Sequence, residues 1–311
     1  MTLAKREIAV FWLEGFITYF YSAGCMSTLD RFESVFNAAA REVFAQQPIE
    51  IGRVLIVHDL AKALQDDFLY IAKGFLSVLE ARDKPEWELF GGDKPFSVRE
   101  VLNAVEQSKP DLVVTYRHLH SSVREWPHSL GEHVDVLTQA TSTPVLVLPH
   151  PGRKDLPGHA LENTDRVMAV TDHLAGDHRL VSHAAHFTKD GGTLYLAHVE
   201  DDTVFERYIA AIGKIPDLDT DIAREEIRAR LMEDPTEYIE SCRTGLARGK
   251  QTLTVESQVK LGHKLADYRS LVEESEIDLL VMYTKDEEQL AMHGIAYPLA
   301  VELRATPLLM L

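Results

Sequence analysis

Apolar residues along the chain fall into two alternating patterns. Short continuous runs rich in Val, Ile and Leu are typical of strands buried on both faces, whereas longer stretches with apolar residues three or four positions apart predict amphipathic helices. In the first half of the chain, the runs predict strands at 7–15, 53–58, 87–90, 111–115 and 145–148, and the spaced pattern predicts helices at 30–46, 68–81, 97–108 and 130–141. Because strands and helices alternate, we expect a parallel sheet with right-handed crossovers and helices on both faces, which is a doubly wound α/β fold.

The second half repeats this order. It predicts strands at 165–170, 191–199, 253–259, 279–283 and 307–311, and helices at 177–188, 263–274 and 297–303. An additional stretch has helical spacing at 204–212, 222–231 and 235–247. Between the halves, 150–158 contains two Pro-Gly turns, which are typical of a linker. We therefore expect two doubly wound domains, at 1–150 and 160–311, the second with a helical insertion at about 200–250.

One segment of the chain occurs twice. Asp111-Leu-Val-Val-Thr-Tyr-Arg117 in the first half corresponds to Asp278-Leu-Leu-Val-Met-Tyr-Thr284 in the second. In both halves the segment is followed by a glycine and then, at the same spacing, by a proline that opens an apolar strand. These residues are Gly131 and Pro144 in the first half, and Gly294 and Pro307 in the second. The repetition indicates two similar halves.

Composition narrows the class of protein. The formal net charge of −17 disfavours nucleic-acid binding, since such proteins present an excess of Lys and Arg. No apolar run is long enough to cross a bilayer, so we expect no membrane insertion. Glu7 and Glu14 interrupt the apolar N-terminal patch, which disfavours a secretory signal. Cys25 and Cys242 are too few for a disulfide framework, and this cysteine usage favours the cytoplasm.

The repeated Asp-Leu-apolar strand, the following glycine and the Thr-Pro-apolar strand resemble the universal stress protein family. The Thr-Pro pairs are Thr143-Pro144 and Thr306-Pro307. Because both halves carry the pattern, the chain resembles a tandem universal stress protein of the branch that does not bind ATP. The resemblance implies two Rossmann-like domains that pair through their fifth strands, Val145–Leu148 against Leu308–Leu311, as an intramolecular pseudo-dimer. Further association into a homo-oligomer stays open.

The resemblance also implies a site. In ATP-binding members the loop after the fourth strand carries Gly-x2-Gly-x9-Gly-Ser/Thr, whose backbone amides cradle phosphates. Here Tyr116 and Tyr283 stand at the first glycine, and only Gly131 and Gly294 remain. We therefore expect the phosphate loops to be degenerate.

Ligand-contacting residues are implied at Asp172, Val199 and Gly294 in the second half, and at Glu14 and Gly131 in the first. Asp172 is also explained as a turn or helix-cap residue, and Val199 as a core residue.

Histidines are concentrated in one segment, at His173, His178, His183 and His186. His183 and His186 share a helix face and could ligate a metal together with Asp172, Asp177 or His198, but solvent-facing histidines explain the same pattern. His118 and His120 are expected to be exposed loop residues. No Gly-x-Ser-x-Gly motif is present, which disfavours a serine hydrolase.

Three functions compete. The first is a cytoplasmic stress-response protein that is not an enzyme, needs no cofactor and binds an unidentified small ligand or protein partner. The alternative is an ATP-binding switch or weak ATPase that uses the second domain. The third is a metal-binding or hydrolytic enzyme at the histidine-rich segment.

Overall fold

The computed structural model describes residues 42–120, 128–171, 174–215, 219–249, 251–284 and 295–311. These residues belong to two compact units. The larger unit, Val43–Thr203 with Leu231–Leu311, contains a nine-stranded sheet. Among the described residues, the other unit consists of Glu42 and Val204–Arg230, where Arg224 forms an ion pair with Glu206.

The sheet is almost entirely parallel. Its strands are β1 (Arg53–His58), β2 (Glu86–Gly91), β3 (Leu112–Tyr116), β4 (Val145–Leu148), β5 (Arg166–Val170), β6 (Thr193–Asp201), β7 (Thr254–Gly262), β8 (Leu279–Met282) and β9 (Leu308–Met310). They lie in the order β2-β1-β3-β4-β9-β8-β5-β6-β7. Every neighbouring pair is parallel except β4 and β9. The predicted α/β fold with a mostly parallel sheet is confirmed.

Nine helices are present in the described residues. They are α1 (Lys62–Phe75), α2 (Ser77–Arg82), α3 (Val98–Ser108), α4 (Glu132–Ala140), α5 (His178–Phe187), α6 (Asp202–Ile212), α7 (Thr220–Ala247), α8 (Lys264–Glu274) and α9 (Ala296–Glu302). The predicted capping box of α3 is formed, because the Ser97 hydroxyl accepts the Glu100 N–H and the Glu100 carboxylate accepts the Ser97 N–H.

The central strands form the core. Every residue of β3, β4 and β8 is buried, as the continuous apolar runs predict for a sheet covered on both faces. In α7, the predicted helices 222–231 and 235–247 are one helix that continues through Pro235. A proline removes only one intrahelical hydrogen bond, and a long helix can retain its remaining ones. No described helix combines the length and the apolar character needed to cross a membrane.

The aspartate that opens each repeated segment fixes the start of the neighbouring strand. Asp111 Oδ2 accepts hydrogen bonds from the N–H groups of Gly52 and Arg53, each at 2.9 Å. Asp278 Oδ2 accepts the corresponding bond from Arg166 N–H at 2.8 Å. The repeated aspartates therefore hold β1 beside β3 and β5 beside β8 at their amino ends.

The strands β4 and β9 join the two halves of the sheet. They pair antiparallel, with Val145 opposite Met310 and Val147 opposite Leu308. This is the contact that the resemblance implies for Val145–Leu148 and Leu308–Leu311. Without it, both strands would present unpaired backbone groups at a sheet edge.

One strand occupies a different position from the one we expected. The chain order predicts 53–58 as the second strand of the first half, but β1 lies directly beside β3, just as β5 lies beside β8. It therefore takes the position of a first strand. The expected strand at 7–15 lies outside the described residues, as does most of the expected helix at 30–46, of which residues 42–46 are not helical.

Candidate functional site

In a doubly wound sheet, ligands bind at the carboxyl ends of the strands where the strand order reverses. In the first half this point lies between β1 and β3, and Asp59 and Tyr116 meet there. The Tyr116 hydroxyl donates a hydrogen bond to Asp59 Oδ1, and the Asp59 N–H donates to the same hydroxyl at 3.0 Å. The Tyr116 side chain is fully buried. A tyrosine and an aspartate therefore close this end of the first-half sheet.

The Asp59 carboxylate has a second donor. The His120 N–H donates to Asp59 Oδ2 at 2.6 Å, and the Phe96 N–H donates to His120 Nε2 at 3.4 Å. The rings of Phe96 and His120 contact each other edge-on, with 4.2 Å between their centroids. Backbone donors and an aromatic contact thus hold both Asp59 and His120 in place.

Burial, with a further contribution from the Asp59 carboxylate, raises the pKa of Tyr116 well above its ordinary value. The hydroxyl therefore remains protonated at neutral pH and can donate to the carboxylate. A phenol in this state is a hydrogen-bond donor and not a general base.

The second half repeats the arrangement with a different carboxylate. The Tyr283 hydroxyl donates to Asp177 Oδ1 at 2.8 Å, and the same oxygen accepts the Leu180 N–H at 3.1 Å as the N-cap of α5. Burial raises the pKa of both Asp177 and Tyr283. Each half thus places a tyrosine–aspartate pair at the end of its copy of the repeated segment, after β3 in the first half and after β8 in the second.

Val199 is a core residue whose backbone donor is already occupied. Its side chain is fully buried in β6, and its N–H donates to the Tyr268 hydroxyl at 2.9 Å. That hydroxyl in turn donates to the Thr171 carbonyl at 3.3 Å. Tyr268 therefore links the ends of β5 and β6 at the place where the resemblance implies a ligand contact.

The other implied site residues are placed as follows. Gly131 precedes α4 with a φ of 95°, a conformation that favours glycine, and its carbonyl accepts the Asp135 N–H at 2.9 Å. It thus has a structural role at the start of the helix. Asp172, Gly294 and Glu14 lie outside the described residues.

Asp59 is a site residue that sequence reasoning missed. A signal for it was present, because Arg53-Val-Leu-Ile-Val-His-Asp59 matches Arg166-Val-Met-Ala-Val-Thr-Asp172. Taking 53–58 as a second strand concealed this correspondence. The pairing of β1 with β3 shows that Asp59 has the position in the first half that Asp172 has in the sequence of the second.

The histidines of the second half do not converge on a shared site among the described residues. His183 Nδ1 donates to the Arg179 carbonyl at 2.9 Å, His186 Nε2 lies 2.6 Å from Asp83 Oδ2, and His178 Nδ1 lies 2.9 Å from the Tyr238 hydroxyl. The expectation that the histidines face solvent is wrong for His183, which is buried, and for His186, whose side chain is only 12% exposed beside Asp83. His173 lies outside the described residues.

His198 and the loop histidines are also placed by the fold. His198 Nε2 lies 3.3 Å from Glu200 Oε2. His118, expected to be exposed, is 4% exposed, and its N–H donates to the Leu130 carbonyl at 2.8 Å. Both His118 and His120 have positive φ, because the chain turns sharply after β3. Within the described ranges, no group of three or more His, Cys, Asp or Glu side chains is arranged to hold a metal ion.

Comparison with known proteins identifies one domain. Residues 163–293 match the model of the Universal stress protein family, a range that covers β5 to β8. No curated protein matches the chain.

Two solved structures resemble the fold at low identity. A functionally unknown protein from Pseudomonas aeruginosa PAO1 is 15% identical, with 84% of this chain and 92% of that chain covered and a TM-score of 0.47. A universal stress protein from Archaeoglobus fulgidus is 16% identical, with 83% and 85% covered and a TM-score of 0.43.

Proposed function

We propose that this chain is a tandem universal stress protein that serves a stress response in the cytoplasm by binding a small ligand or a protein partner, without catalysis. Its halves, 1–150 and 160–311, form an intramolecular pseudo-dimer. The observation that carries the proposal is the tyrosine–aspartate pair at the strand ends of each half, Tyr116 with Asp59 and Tyr283 with Asp177.

Reciprocal contacts between the halves support the pseudo-dimer. The Arg117 guanidinium, which follows β3, donates to the carbonyls of Ala300 and Leu303 at the end of α9, the latter at 2.9 Å. Thr284, at the corresponding position after β8, donates to the Thr138 carbonyl of α4 at 3.1 Å. Two equivalent positions that each contact the other half's equivalent helix are what a twofold interface produces.

The strand-end residues fit ATP poorly. Glycine at the first position of a phosphate loop lets the phosphate approach the backbone, whereas Tyr116 and Tyr283 place a ring there. In the second half, the Asp177 carboxylate that bonds to Tyr283 adds a negative charge, which would repel a phosphate. We therefore assign no nucleotide chemistry to either half.

The alternatives have less support. An ATP-binding switch in the second half would use Val199 as a ligand contact, but the Val199 side chain is fully buried in the core and its N–H donates to the Tyr268 hydroxyl. A metal-binding or hydrolytic enzyme would need converging histidines, but His183 and His186 bond to separate partners.

Isothermal titration of ATP and ADP into the full chain tests this proposal. We expect no saturable heat with either nucleotide. Mass spectrometry of the purified protein under native conditions should show the bare chain or a co-purifying molecule that is not a nucleotide. Stoichiometric binding of ATP at the strand ends of the second half would favour the ATP-binding alternative instead.

A further inference from the structure

Two arginines and two histidines gather where the strand ends of the first half meet the turn between α9 and β9. We call Arg117, His118, His128 and Arg304 the junction cluster. A basic cluster is unusual in a chain whose formal net charge is −17. The field of the whole protein repels anions, so a local cationic site would determine where an anion binds.

Two members of the cluster lie in the interior. Arg117 is 3% exposed and His118 is 4% exposed. Arg117 uses its terminal nitrogens on the carbonyls of α9, but its Nε has no hydrogen-bond partner among the described residues, and neither does His118 Nδ1. Buried polar groups are normally hydrogen-bonded, so two such atoms in neighbouring residues indicate that a partner is missing.

The other two members lie nearer the surface. Arg304 is partly exposed and donates through Nη2 to His128 Nδ1 at 3.0 Å and through Nε to the Val301 carbonyl at 3.3 Å. His128 is exposed. In the part of the chain that the structure describes, no carboxylate forms an ion pair with Arg117 or Arg304. The cluster therefore runs from solvent to a buried, uncompensated charge.

The positive charges of Arg117 and Arg304 repel each other and disfavour a further positive charge on His118. Burial lowers the pKa of Arg117 to about 9, with additional contributions from the positive charges of Arg153 and Arg304. Burial also lowers the pKa of His118, and Arg117, His150 and Arg304 lower it further. Arg153 forms an ion pair with Asp155 at 2.8 Å, whereas the described residues supply no carboxylate to Arg117 or Arg304. A bound anion would relieve this repulsion.

We propose that the junction cluster binds a small oxyanion of the phosphate class, with Arg304 and His128 at the entrance and Arg117 and His118 in the interior. Arginine suits this ligand, because its planar fork of donors matches phosphate oxygens. The site consists of side chains from both halves and not of backbone amides of a phosphate loop. It rests on the proposed function in one respect: it names a chemistry for the unidentified small ligand.

The corresponding position in the other half lacks the charges. Counting back from the Thr-Pro pairs, Thr141 stands where Arg304 stands, and Thr284 stands where Arg117 stands. The pseudo-symmetry of the halves thus supplies an internal control, and one anion should bind per chain.

Isothermal titration of inorganic phosphate into the full chain, in a chloride buffer of low ionic strength, tests the site. We expect one phosphate per chain, bound at least about tenfold more weakly by Arg304→Gln, since a charge-assisted bond is lost. The matched variant Thr141→Gln should bind as the wild type does. If Arg304→Gln does not fold, His128→Gln replaces it with the same expected direction.

The absence of saturable phosphate binding in the wild type, or equal affinity in Arg304→Gln, would overturn the site. Titration with ATP and adenosine separates this result from the proposed function. If the wild type binds ATP but not adenosine, and Arg304→Gln does not bind ATP, the ATP phosphates occupy the junction cluster. If Arg304→Gln still binds ATP, the proposed function is contradicted. The anion site is then judged by the phosphate titrations alone.

Discussion

At the scale of single residues, an equivalent tyrosine in each half donates a hydrogen bond to an aspartate. Tyr116 and Tyr283 end the repeated segment, but Tyr116 donates to the residue that follows β1, whereas Tyr283 donates to the N-cap of α5. The carboxylate therefore comes from a strand end in one half and from a helix start in the other. Because the tyrosine is the common part of both pairs, it is the residue to change first.

Replacing Tyr116 with Phe removes the hydroxyl and leaves the ring packed in place. We expect the free energy of unfolding to fall by about 1–3 kcal/mol, because Asp59 loses the buried hydroxyl donor and keeps the His120 N–H. Urea denaturation measures the change. Tyr70→Phe is the control, since Tyr70 is 81% exposed and its hydroxyl should matter little. Equal effects of the two substitutions would show that the Tyr116 hydroxyl contributes nothing specific.

His183 makes stability depend on pH. Burial holds its folded-state pKa at about 4, below the ordinary value of 6.5, so the unfolded chain takes up the proton first as the pH falls. The stabilising contribution is complete above about pH 6.5 and is lost as the pH falls toward 4, with a total on the order of 3 kcal/mol.

His183→Gln removes this titration. The loss of stability between pH 7 and pH 4.5, followed by urea denaturation of each protein relative to its own value at pH 7, should be smaller in the variant than in the wild type. Parallel pH profiles would mean that His183 titrates normally in the folded protein.

At the scale of elements, a helix end in one half is capped by a side chain from the other. Arg82, the last residue of α2, donates to the carbonyls of Ala185 at 3.3 Å and Thr188 at 2.9 Å at the end of α5, and also to that of His186. The last carbonyls of a helix have no partners within it, so Arg82 satisfies groups that would otherwise be exposed or unpaired. The next residue, Asp83, contacts the side chain of His186 at 2.6 Å.

Arg82→Met keeps an aliphatic side chain of similar reach and removes these donors. We expect a loss of about 1–3 kcal/mol in the free energy of unfolding, chiefly from the carbonyl hydrogen bonds, because Asp190, the remaining partner, is exposed. Arg99→Met, at an exposed position of α3, is the control and should stay within about 0.5 kcal/mol of the wild type. If both variants lost a similarly small free energy of unfolding, Arg82 would have no capping role.

At the scale of the whole molecule, the strand pair β4–β9 makes one sheet out of two sets of strands. All three residues of β9 are buried, and β4 and β8 lie on either side of it. The continuity of the sheet in the larger unit therefore depends on β9, a strand of three residues that covers the edges of both β4 and β8.

Deleting residues 307–311 removes β9 and uncovers the apolar edges of β4 and β8. We expect the truncated protein to aggregate or to unfold at a lower temperature, because unpaired strand edges recruit other chains. Size-exclusion chromatography with light scattering and a thermal melt measure both effects. A monomeric truncated protein with an unchanged melting temperature would show that β9 is dispensable.

Much of this fold follows from local patterns, and much of the site does not. Apolar periodicity predicts most strands, and the spacing of Ser97 and Glu100 predicts the cap of α3. The pairing of β4 with β9 is implied by the family resemblance and not by any local pattern. The tyrosines that replace glycine are also visible in the sequence. Contacts such as Arg82 with α5 join residues more than a hundred positions apart, so no local pattern reveals them. Asp59 is concealed for a different reason, because the apolar run at 7–15 predicts a first strand and makes 53–58 the second.

The central claim is that a tyrosine–aspartate pair closes the strand ends of both halves to ATP. Titration of ATP into Arg304→Gln tests it most directly, because this variant lacks the proposed anion site and retains both pairs. We predict only the heat of dilution. Saturable binding of one or two ATP molecules per chain in this variant would contradict the account.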